Sequence, residues 1–221
     1  MNLRKEDKTL RLALTKGRLE KKTIPLLQAA GFDVEPLLNP GRRLVHALPG
    51  SALEVVLAKA PDVITYVEHG VCDLGIVGKD TILEQGHSLY EVLDLGFGRC
   101  RFAMAVPEGS DFYTTYRHKR IATKYPHVAR TFFAGKGLDV EIIKIEGSVE
   151  LAPLLGLADA IVDIVETGDT LHANGLIPIE DICPISARLI VNTASMKLYR
   201  HEVERFITLC REGLEALACK P

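Results

Sequence analysis

The stretch Ala158–Asn174, ADAIVDIVETGDTLHAN, decides the fold, because it joins a buried strand to an acidic edge and a glycine turn. Its β-branched run, Ala160–Val165, is typical of parallel strands that are covered on both faces. Two acidic side chains, Asp163 and Glu166, stand at or near the carboxyl end of this predicted strand. Ligands of open α/β sheets bind beyond the carboxyl ends of strands, where a helix N-terminus favours phosphate oxygens. The stretch therefore predicts an α/β fold with an anion site at this edge.

The turn after this strand, TGDT at Thr167–Thr170, has the chemistry of a phosphate loop, and a helix can begin at Leu171. Gly168 lets the backbone approach a ligand closely, and both threonine hydroxyls can donate to phosphate oxygens. The carboxylates of Asp163 and Glu166 suit ribose hydroxyls or a bound Mg²⁺ instead. The loop resembles the 5-phosphoribosyl-1-pyrophosphate (PRPP) loop of phosphoribosyltransferases. Taken alone, the same residues equally fit an ordinary βα turn with a helix-capping threonine or aspartate.

The composition excludes several classes of protein. With 27 lysines and arginines against 29 aspartates and glutamates, the net charge of −2 argues against a nucleic-acid-binding surface. The first residues, MNLRKEDKTLR, are charged, and no apolar run approaches the roughly 18 residues of a membrane span. We therefore expect neither a signal peptide nor a transmembrane helix, and a cytosolic protein. The five cysteines form no CxxC pair and are predicted to be reduced packing residues: Cys72, Cys100, Cys183, Cys210 and Cys219.

Strand-like and helix-like segments alternate along the 221 residues, which favours an α/β fold with a sizeable core. The predicted strands are 10–14, 44–48, 55–58, 72–78, 93–106, 120–123, 139–145, 160–165 and 181–192. The predicted helices are 19–30, 61–70, 128–135, 149–157 and 195–217, the last of them long and amphipathic. The two longest strand-like runs, 93–106 and 181–192, would carry the chain between lobes. We predict lobe I at 1–95 plus 182–221 and lobe II at 96–181, with a cleft between them as in periplasmic binding proteins.

Cations recur where predicted strands end. Lys16–Arg18 separates the first strand from the first helix, Arg42 and Arg43 follow a Pro-Gly turn, and Lys59 follows the strand 55–58. Arginine at such a position can form a bidentate hydrogen bond with a diphosphate, although a solvated basic turn fits equally well. The glycines of the run CDLGIVG at 72–78 indicate close approach by a ligand or another backbone, or simple crowding between strand and helix.

Other chemistries lack their motifs. Gly78-Lys79 is followed by Asp80 and has no leading glycine, so it is not a nucleotide-binding P-loop. His201-Glu202 is not followed by a second histidine at the spacing of a zinc-protease helix. No serine stands in the G-x-S-x-G frame of a nucleophile elbow.

Seven short motifs occur in a specific order along nearly the whole chain. They are LTKGR at 14–18, Arg42-Arg43, YVEHG at 66–70, DLGIVGKD at 73–80, Cys100-Arg101, IATKYP at 121–126 and DIVETGDTL at 163–171. Together they resemble ATP phosphoribosyltransferase, the first enzyme of histidine biosynthesis, in its short form. Each motif is weak alone, and the specificity comes from their joint order.

The resemblance implies a defined reaction and a set of site residues. Adenine N1 of ATP attacks the anomeric carbon of PRPP, diphosphate leaves, and N1-(5-phospho-β-D-ribosyl)-ATP forms without a covalent enzyme intermediate. Mg²⁺ is expected, held mainly through substrate phosphates. The transition-state groups would be Arg18 and Arg42. The PRPP site would comprise Asp163, Glu166, Thr167, Gly168, Asp169, Thr170 and Leu171, with Asp163 and Glu166 nearest the ribose hydroxyls. The ATP side would comprise Lys16, Gly17, Lys59 and the turn Gly78, Lys79 and Asp80.

The resemblance also implies a partner. The last predicted helix ends at Leu217, without the regulatory domain of the long form, so we expect the short form. That form acts with a regulatory subunit similar to histidyl-tRNA synthetase, in a hetero-octamer built on catalytic dimers. Weak or no activity is therefore expected from this chain alone. The alternative function is a non-catalytic solute-binding or ligand-sensing module of the same two-lobed fold.

Overall fold

A computed structural model describes residues 8–86, 88–114 and 117–219 of the chain. These residues form two compact units: unit 1 runs up to Gly98 and resumes at Ser186, and unit 2 is Arg99–Ile185. The units therefore change a few residues later than the lobe boundaries at 95 and 182, whose functional division stays a prediction. No helix in the described part of the chain is long and apolar enough to cross a membrane.

Strands and helices alternate through most of the chain. The strands are β1 (Leu10–Thr15), β2 (Val45–Ala47), β3 (Leu53–Ala58), β4 (Leu74–Gly78), β5 (Leu89–Asp94), β6 (Cys100–Pro107), β7 (Lys119–Thr123), β8 (Val140–Lys144), β9 (Ala160–Val165), β10 (Leu176–Ile185) and β11 (Ala187–Asn192). The helices are α1 (Arg18–Ala29), α2 (Glu35–Leu38), α3 (Ala60–Glu68), α4 (Lys79–Gln85), α5 (Pro126–Gly135), α6 (Leu151–Leu154), α7 (Asp169–Ala173), α8 (Thr193–Leu198) and α9 (Arg200–Ala218).

Unit 1 is built on a six-stranded sheet in the order β2-β3-β1-β4-β11-β5. Strand β1 pairs in parallel with β3 and β4, whereas β11 is antiparallel to β4 and β5. Because alternate residues of a strand face opposite sides, Leu12 and Leu14 lie in one buried cluster with Leu26 of α1 and Phe206 of α9. Ala13 lies in a second cluster with apolar residues of α3. Both faces of β1 are therefore covered at Leu12–Leu14, which explains why these three residues are all apolar.

Unit 2 is built on a five-stranded sheet in the order β10-β6-β9-β7-β8. Strand β9 is central, antiparallel to β6 and parallel to β7, and β7 is in turn parallel to β8. Ile161 and Val162 of β9 are completely buried, as the β-branched run predicted. Because β7, β8 and β9 are parallel, the loops that follow them leave the same edge of the sheet, and the loop after β9 is the predicted phosphate loop.

The structure confirms the predicted mixed α/β class, and β9 begins and ends where the sequence placed it. The two long strand-like runs are wrong as single strands. The first is divided between β5 and β6, because the backbone turns at Gly96 (φ 71°) and Gly98 (φ 65°). The second is divided at Ser186 between β10 and β11, which belong to different sheets.

Two predicted helices and one predicted packing residue also differ from the structure. The helix expected at 149–157 is only the short α6, and the chain turns away at Gly156, where φ is 71°. The long helix at 195–217 is broken at Tyr199, whose φ of −123° lies outside the helical range, and forms α8 and α9. Cys219 is exposed, because it follows the last turn of α9, so it is not a packing residue.

A buried polar network fixes the start of α8 against the sheet of unit 1. The Asn192 side chain accepts hydrogen bonds from the N–H groups of Ala194 and Ser195, at 2.9 and 3.0 Å, and so caps the helix. Asp73, only 6% exposed, accepts a hydrogen bond from the Ser195 hydroxyl at 2.7 Å and another from the Arg11 N–H at 2.9 Å. This satisfied network explains why an aspartate can lie buried at the beginning of β4.

Replacing Ser195 by alanine should lower the free energy of unfolding by about 1–3 kcal/mol, because a buried oxygen of Asp73 loses its donor. Urea denaturation of the purified chain measures this loss. The matched control is Ser110→Ala, at an exposed position, for which a change within about 0.5 kcal/mol is expected. Equal stability changes in the two variants would contradict the structural role of the Asp73 network.

Candidate functional site

The loop after β9, which the sequence predicts to bind phosphate, turns at a left-handed glycine. Gly168 has φ 92° and ψ −2°, a left-handed conformation that favours glycine, and it precedes the first residue of α7. The helix begins at Asp169, two residues before the predicted start at Leu171, because this glycine directs the chain into the helix immediately. A side chain at Gly168 would have no neighbour nearer than 3.8 Å, so the backbone conformation, rather than crowding, requires glycine.

Hydroxyl and carboxylate groups in this loop bond to one another. The Thr167 hydroxyl donates to Asp169 Oδ2 at 2.8 Å, and the Asp169 N–H approaches Thr167 Oγ1 at 3.4 Å. Leu171 is buried and anchors α7 to the core of unit 2. Glu166 and Thr170 are exposed together with Thr167. For the Thr167 hydroxyl to donate to a phosphate, as the sequence suggests, it must leave Asp169.

Asp163 differs sharply in environment from Glu166. It lies two residues before the end of β9 and is partly buried, and this burial is the main reason that its pKa rises from 3.8 to about 6. The negative charge of Glu150 raises the pKa further, whereas the hydrogen bond from the Ile164 N–H, at 2.8 Å, and the charge of Lys124 lower it. Asp163 is therefore a carboxyl group that ionises near pH 6, next to the phosphate-type loop.

The predicted transition-state residue Arg18 is the first residue of α1 and is exposed. Gly17 precedes it with φ 89°, and the Gly17 N–H donates to the Glu20 carboxylate at 2.9 Å. Lys16 immediately before them is also exposed. Cations at a helix N-terminus oppose the helix dipole, and Glu20 in the first turn of α1 offsets this effect. Arg42 lies on an exposed turn next to Gly41, whose φ is 57°.

Two residues of the predicted ATP side line one pocket of unit 1. This pocket has a volume of about 770 Å³ and includes Lys16 and Lys59 in its lining, together with Tyr66 of α3. The exposed apolar side chains of Leu44 and Val45, each about half accessible, form part of its wall. A pocket with cationic and apolar lining can accept a ligand that has phosphate groups and a flat ring.

The remaining residues of the predicted ATP side have a structural environment that the sequence did not indicate. The segment Gly78–Asp80 is not a turn, because α4 begins at Lys79 and Gly78 is its extended N-cap residue. Lys79 forms an ion pair with Glu91 of β5. A Cβ at Gly78 would lie 2.0 Å from Asp80 Oδ1, so a side chain here would have to displace the Asp80 carboxylate.

The ion pair of Lys79 belongs to a network that links β5 and β11. Arg188 donates to Glu91 and to Asp94, at 3.1 Å in each case, and Asp94 also accepts from the Ser186 hydroxyl at 2.7 Å. No sequence pattern pointed to Glu91, Asp94 or Arg188, because only the pairing of two strands nearly a hundred residues apart brings them together.

Crowding also explains Gly75 of the same small-residue strand. A Cβ there would meet Ile190 and Val67 side-chain atoms at 2.9 Å. The sequence left two explanations open for these glycines, close approach by a ligand and crowding within the protein. The structure favours crowding. No cluster of three histidine, cysteine or acidic side chains suited to a metal ion occurs in residues 8–86, 88–114 and 117–219.

The fold and the loop define a class of protein. The chain has two α/β units, and in the second unit a left-handed glycine and a short helix follow the central strand. This is a periplasmic-binding-protein-like fold. The periplasmic aliphatic sulphonate binding protein SsuA from Escherichia coli shares this fold, with a TM-score of 0.58 over 95% of this chain and 73% of its own. At 14% identity, this likeness concerns the fold alone.

The chain belongs to the ATP phosphoribosyltransferase family, HisG, whose family model matches residues 59–212. An ATP phosphoribosyltransferase from Clostridium kluyveri is 59% identical over 201 residues, covering 91% of this chain and 92% of that protein. One from Bacillus mycoides is 54% identical over 208 residues, covering 94% and 98%.

A solved structure agrees with this family. The ATP phosphoribosyl transferase (HisG:HisZ) complex from Thermotoga maritima contains a chain that is 36% identical, with a TM-score of 0.80, covering 94% of this chain and 99% of that one. The family that the ordered motifs predicted is thereby confirmed, and so is the two-lobed fold that the order of strands and helices predicted. The activity is that of an ATP phosphoribosyltransferase, in the first step of histidine biosynthesis, and the solute-binding alternative is not favoured.

Proposed function

We propose that this chain transfers the phosphoribosyl group of PRPP to N1 of ATP through the loop that follows β9. The observation that carries this proposal is the left-handed Gly168 immediately before α7. It follows β9 at the sheet edge where the parallel strand β7 also ends, and backbone N–H groups there would bind a 5-phosphate. Thr167, Asp169 and Thr170 complete the phosphate side, and Asp163 and Glu166 accept hydrogen bonds from the ribose hydroxyls.

The reaction requires positive charge, since it joins two polyanions and releases a third. The bond between the anomeric carbon and the diphosphate oxygen breaks with its electron pair going to diphosphate, and the N1 lone pair of adenine forms the new C–N bond. Adenine N1 carries no proton in ATP, so no general base is needed. Arg18 and Arg42 would stabilise the charge that develops on the phosphates, while Lys16 and Lys59 hold ATP.

A metal ion enters this scheme through the substrates. Enzymes of this family use metal ions, and we propose that the ion here is Mg²⁺. When bound, Mg²⁺ would neutralise part of the negative charge of the diphosphate. We propose that this ion is held mainly by substrate phosphates, with at most one or two carboxylates from the protein. Asp163 and Glu166 are the acidic groups of the proposed site that could supply such oxygens.

We further propose that the chain acts in the cytoplasm with a regulatory subunit similar to histidyl-tRNA synthetase. The similar structure from Thermotoga maritima is a HisG:HisZ complex, and its HisG-like chain is matched over nearly its whole length. A hetero-octamer built on catalytic dimers is the proposed assembly. The subunit would bring activation and feedback inhibition by histidine.

The test is turnover of ATP and PRPP with Mg²⁺, measured as diphosphate release, with and without the regulatory subunit. We expect turnover in the complex, weak or no turnover by the chain alone, and loss of most activity in Thr167→Ala. The matched control is Thr208→Ala, on the exposed side of α9, which should retain activity. Binding of PRPP without turnover in the complex would instead favour the ligand-sensing alternative.

A further inference from the structure

A second strand end lies beside the proposed PRPP loop. Strand β7 is the parallel neighbour of β9, and the register pairs Thr123 with Val162. The next residue along the chain after Thr123 is Lys124, and the next along β9 is Asp163. Lys124 therefore follows β7 at the edge of the sheet from which the PRPP loop also leaves.

The backbone on both sides of Lys124 is fixed. The hydroxyl of Thr123, which is completely buried, donates to the Val162 carbonyl at 2.6 Å. The same oxygen accepts a hydrogen bond from the Tyr125 N–H at 2.9 Å. Helix α5 begins immediately afterwards at Pro126 and is ten residues long. Lys124 thus projects from a rigid corner between a buried strand and the N-terminus of a helix.

The charge of Lys124 acts on neighbouring carboxylates but is not neutralised by a contact. It lowers the pKa of Asp163 and of Glu146 through space. Within the described ranges of the chain, however, its exposed ammonium group forms no ion pair or hydrogen bond. Lys144, at the end of the adjacent β8, differs in this respect, since it pairs with Glu146 at 2.7 Å. Lys124 is therefore an available cation at the ligand-binding edge.

The proposed function already assigns residues at this edge to two parts of PRPP. The loop at Gly168 takes the 5-phosphate in the proposed function, and Asp163 takes the ribose hydroxyls. In PRPP the 1-diphosphate lies on the other side of the ribose from the 5-phosphate. Lys124 follows β7, the neighbour of the strand that carries both Asp163 and the loop, so it lies to one side of both at this edge.

We propose that Lys124 binds the 1-diphosphate of PRPP and stabilises it as the leaving group. The proposal rests on the proposed function and adds a residue to it. When the C1–O bond breaks, the electron pair goes to the diphosphate oxygen, and the ammonium of Lys124 offsets the added negative charge. The positive end of the α5 dipole reinforces this effect.

The experiment compares Lys124→Ala with the matched control Lys136→Ala in the complex with the regulatory subunit. Lys136 follows the other end of α5 and pairs with Glu180, so the control removes the same charge from a residue that flanks the same helix. In Lys124→Ala we expect the KM for PRPP to rise about tenfold and kcat to fall about tenfold, with the KM for ATP changed less than about threefold. Lys124→Arg should recover part of both losses, and Lys136→Ala should remain near wild type.

Calorimetric binding separates the two ends of PRPP. Inorganic diphosphate with Mg²⁺ should bind about tenfold more weakly to Lys124→Ala, whereas ribose 5-phosphate should bind within about twofold of wild type. Equal weakening of both probes, or no weakening of diphosphate, would overturn the role of Lys124. Absence of turnover in the wild-type complex would instead count against the proposed function itself, so the two failures are distinguishable.

Discussion

Replacing Arg18 by alanine is expected to lower kcat about 10²–10³-fold in the complex with the regulatory subunit. Arg18 is the first residue of α1, immediately after the left-handed Gly17, so its guanidinium starts from a fixed point at the N-terminal end of the helix. Loss of one preorganised donor to transition-state charge typically has an effect of this size. Steady-state kinetics with varied ATP and PRPP measure the loss, and far-UV circular dichroism checks that the fold is retained.

The control for Arg18 lies on the same helix. Lys22 is exposed on α1, away from its first turn, and Lys22→Ala removes the same charge from the same element. We expect its kcat to stay within about twofold of wild type, since surface charges away from the site contribute little. If Arg18→Ala and Lys22→Ala both retained wild-type kcat, Arg18 would have no role in the transition state.

The local pattern of apolar and polar residues predicted some strands correctly and others wrongly. Strand β9 has the predicted bounds, because its apolar run is flanked on one side by Asp159 and on the other by Glu166 and a glycine turn. The runs 93–106 and 181–192 were predicted wrongly as single strands, since hydrophobicity does not report which sheet a residue joins. Gly96 and Gly98 were the available signal, because glycine at positive φ allows a turn between strands.

In the site, too, the residues that are contiguous in sequence were predictable, whereas those brought together by strand pairing were not. The phosphate loop was predictable, because Thr167, Gly168 and the following residues are contiguous and carry their chemistry locally. Lys124 lies within the IATKYP motif, but its relation to Asp163 arises from the pairing of β7 with β9, nearly forty residues apart. The raised pKa of Asp163 likewise depends on burial in the folded sheet, which sequence spacing does not contain.

Asp163→Asn is expected to change activity and stability in opposite directions. Asparagine keeps the shape of the side chain and an oxygen that can accept from the Ile164 N–H, but it removes the charge. A hydrogen bond to a charged acceptor contributes about 1.5–3 kcal/mol, so kcat/KM for PRPP should fall about 10–100-fold. In wild type, kcat/KM for PRPP should rise with pH up to about 6, as Asp163 ionises, and the variant should lack this rise.

The stability effect follows from proton linkage. Burial raises the pKa of Asp163 from 3.8 to about 6 in the folded chain. Between these values the folded state holds a proton that the unfolded state has lost, so this group makes stability fall as pH rises, and the full penalty is present above about pH 6. Asp163→Asn removes that penalty, and its free energy of unfolding at about pH 7.5 should exceed that of wild type by about 3 kcal/mol.

Urea denaturation at several pH values between about 4 and 7.5 tests this linkage for Asp163→Asn. The advantage of the variant over wild type should be small at the acidic end and should grow to its full value at the alkaline end. Asp139→Asn, which removes an exposed carboxylate from the same unit, is the matched control and should show no such growth. A constant difference between Asp163→Asn and wild type across this range would mean that Asp163 ionises normally in the folded protein. Its carboxylate would then be available to ribose hydroxyls at every pH tested, without the cost that burial imposes.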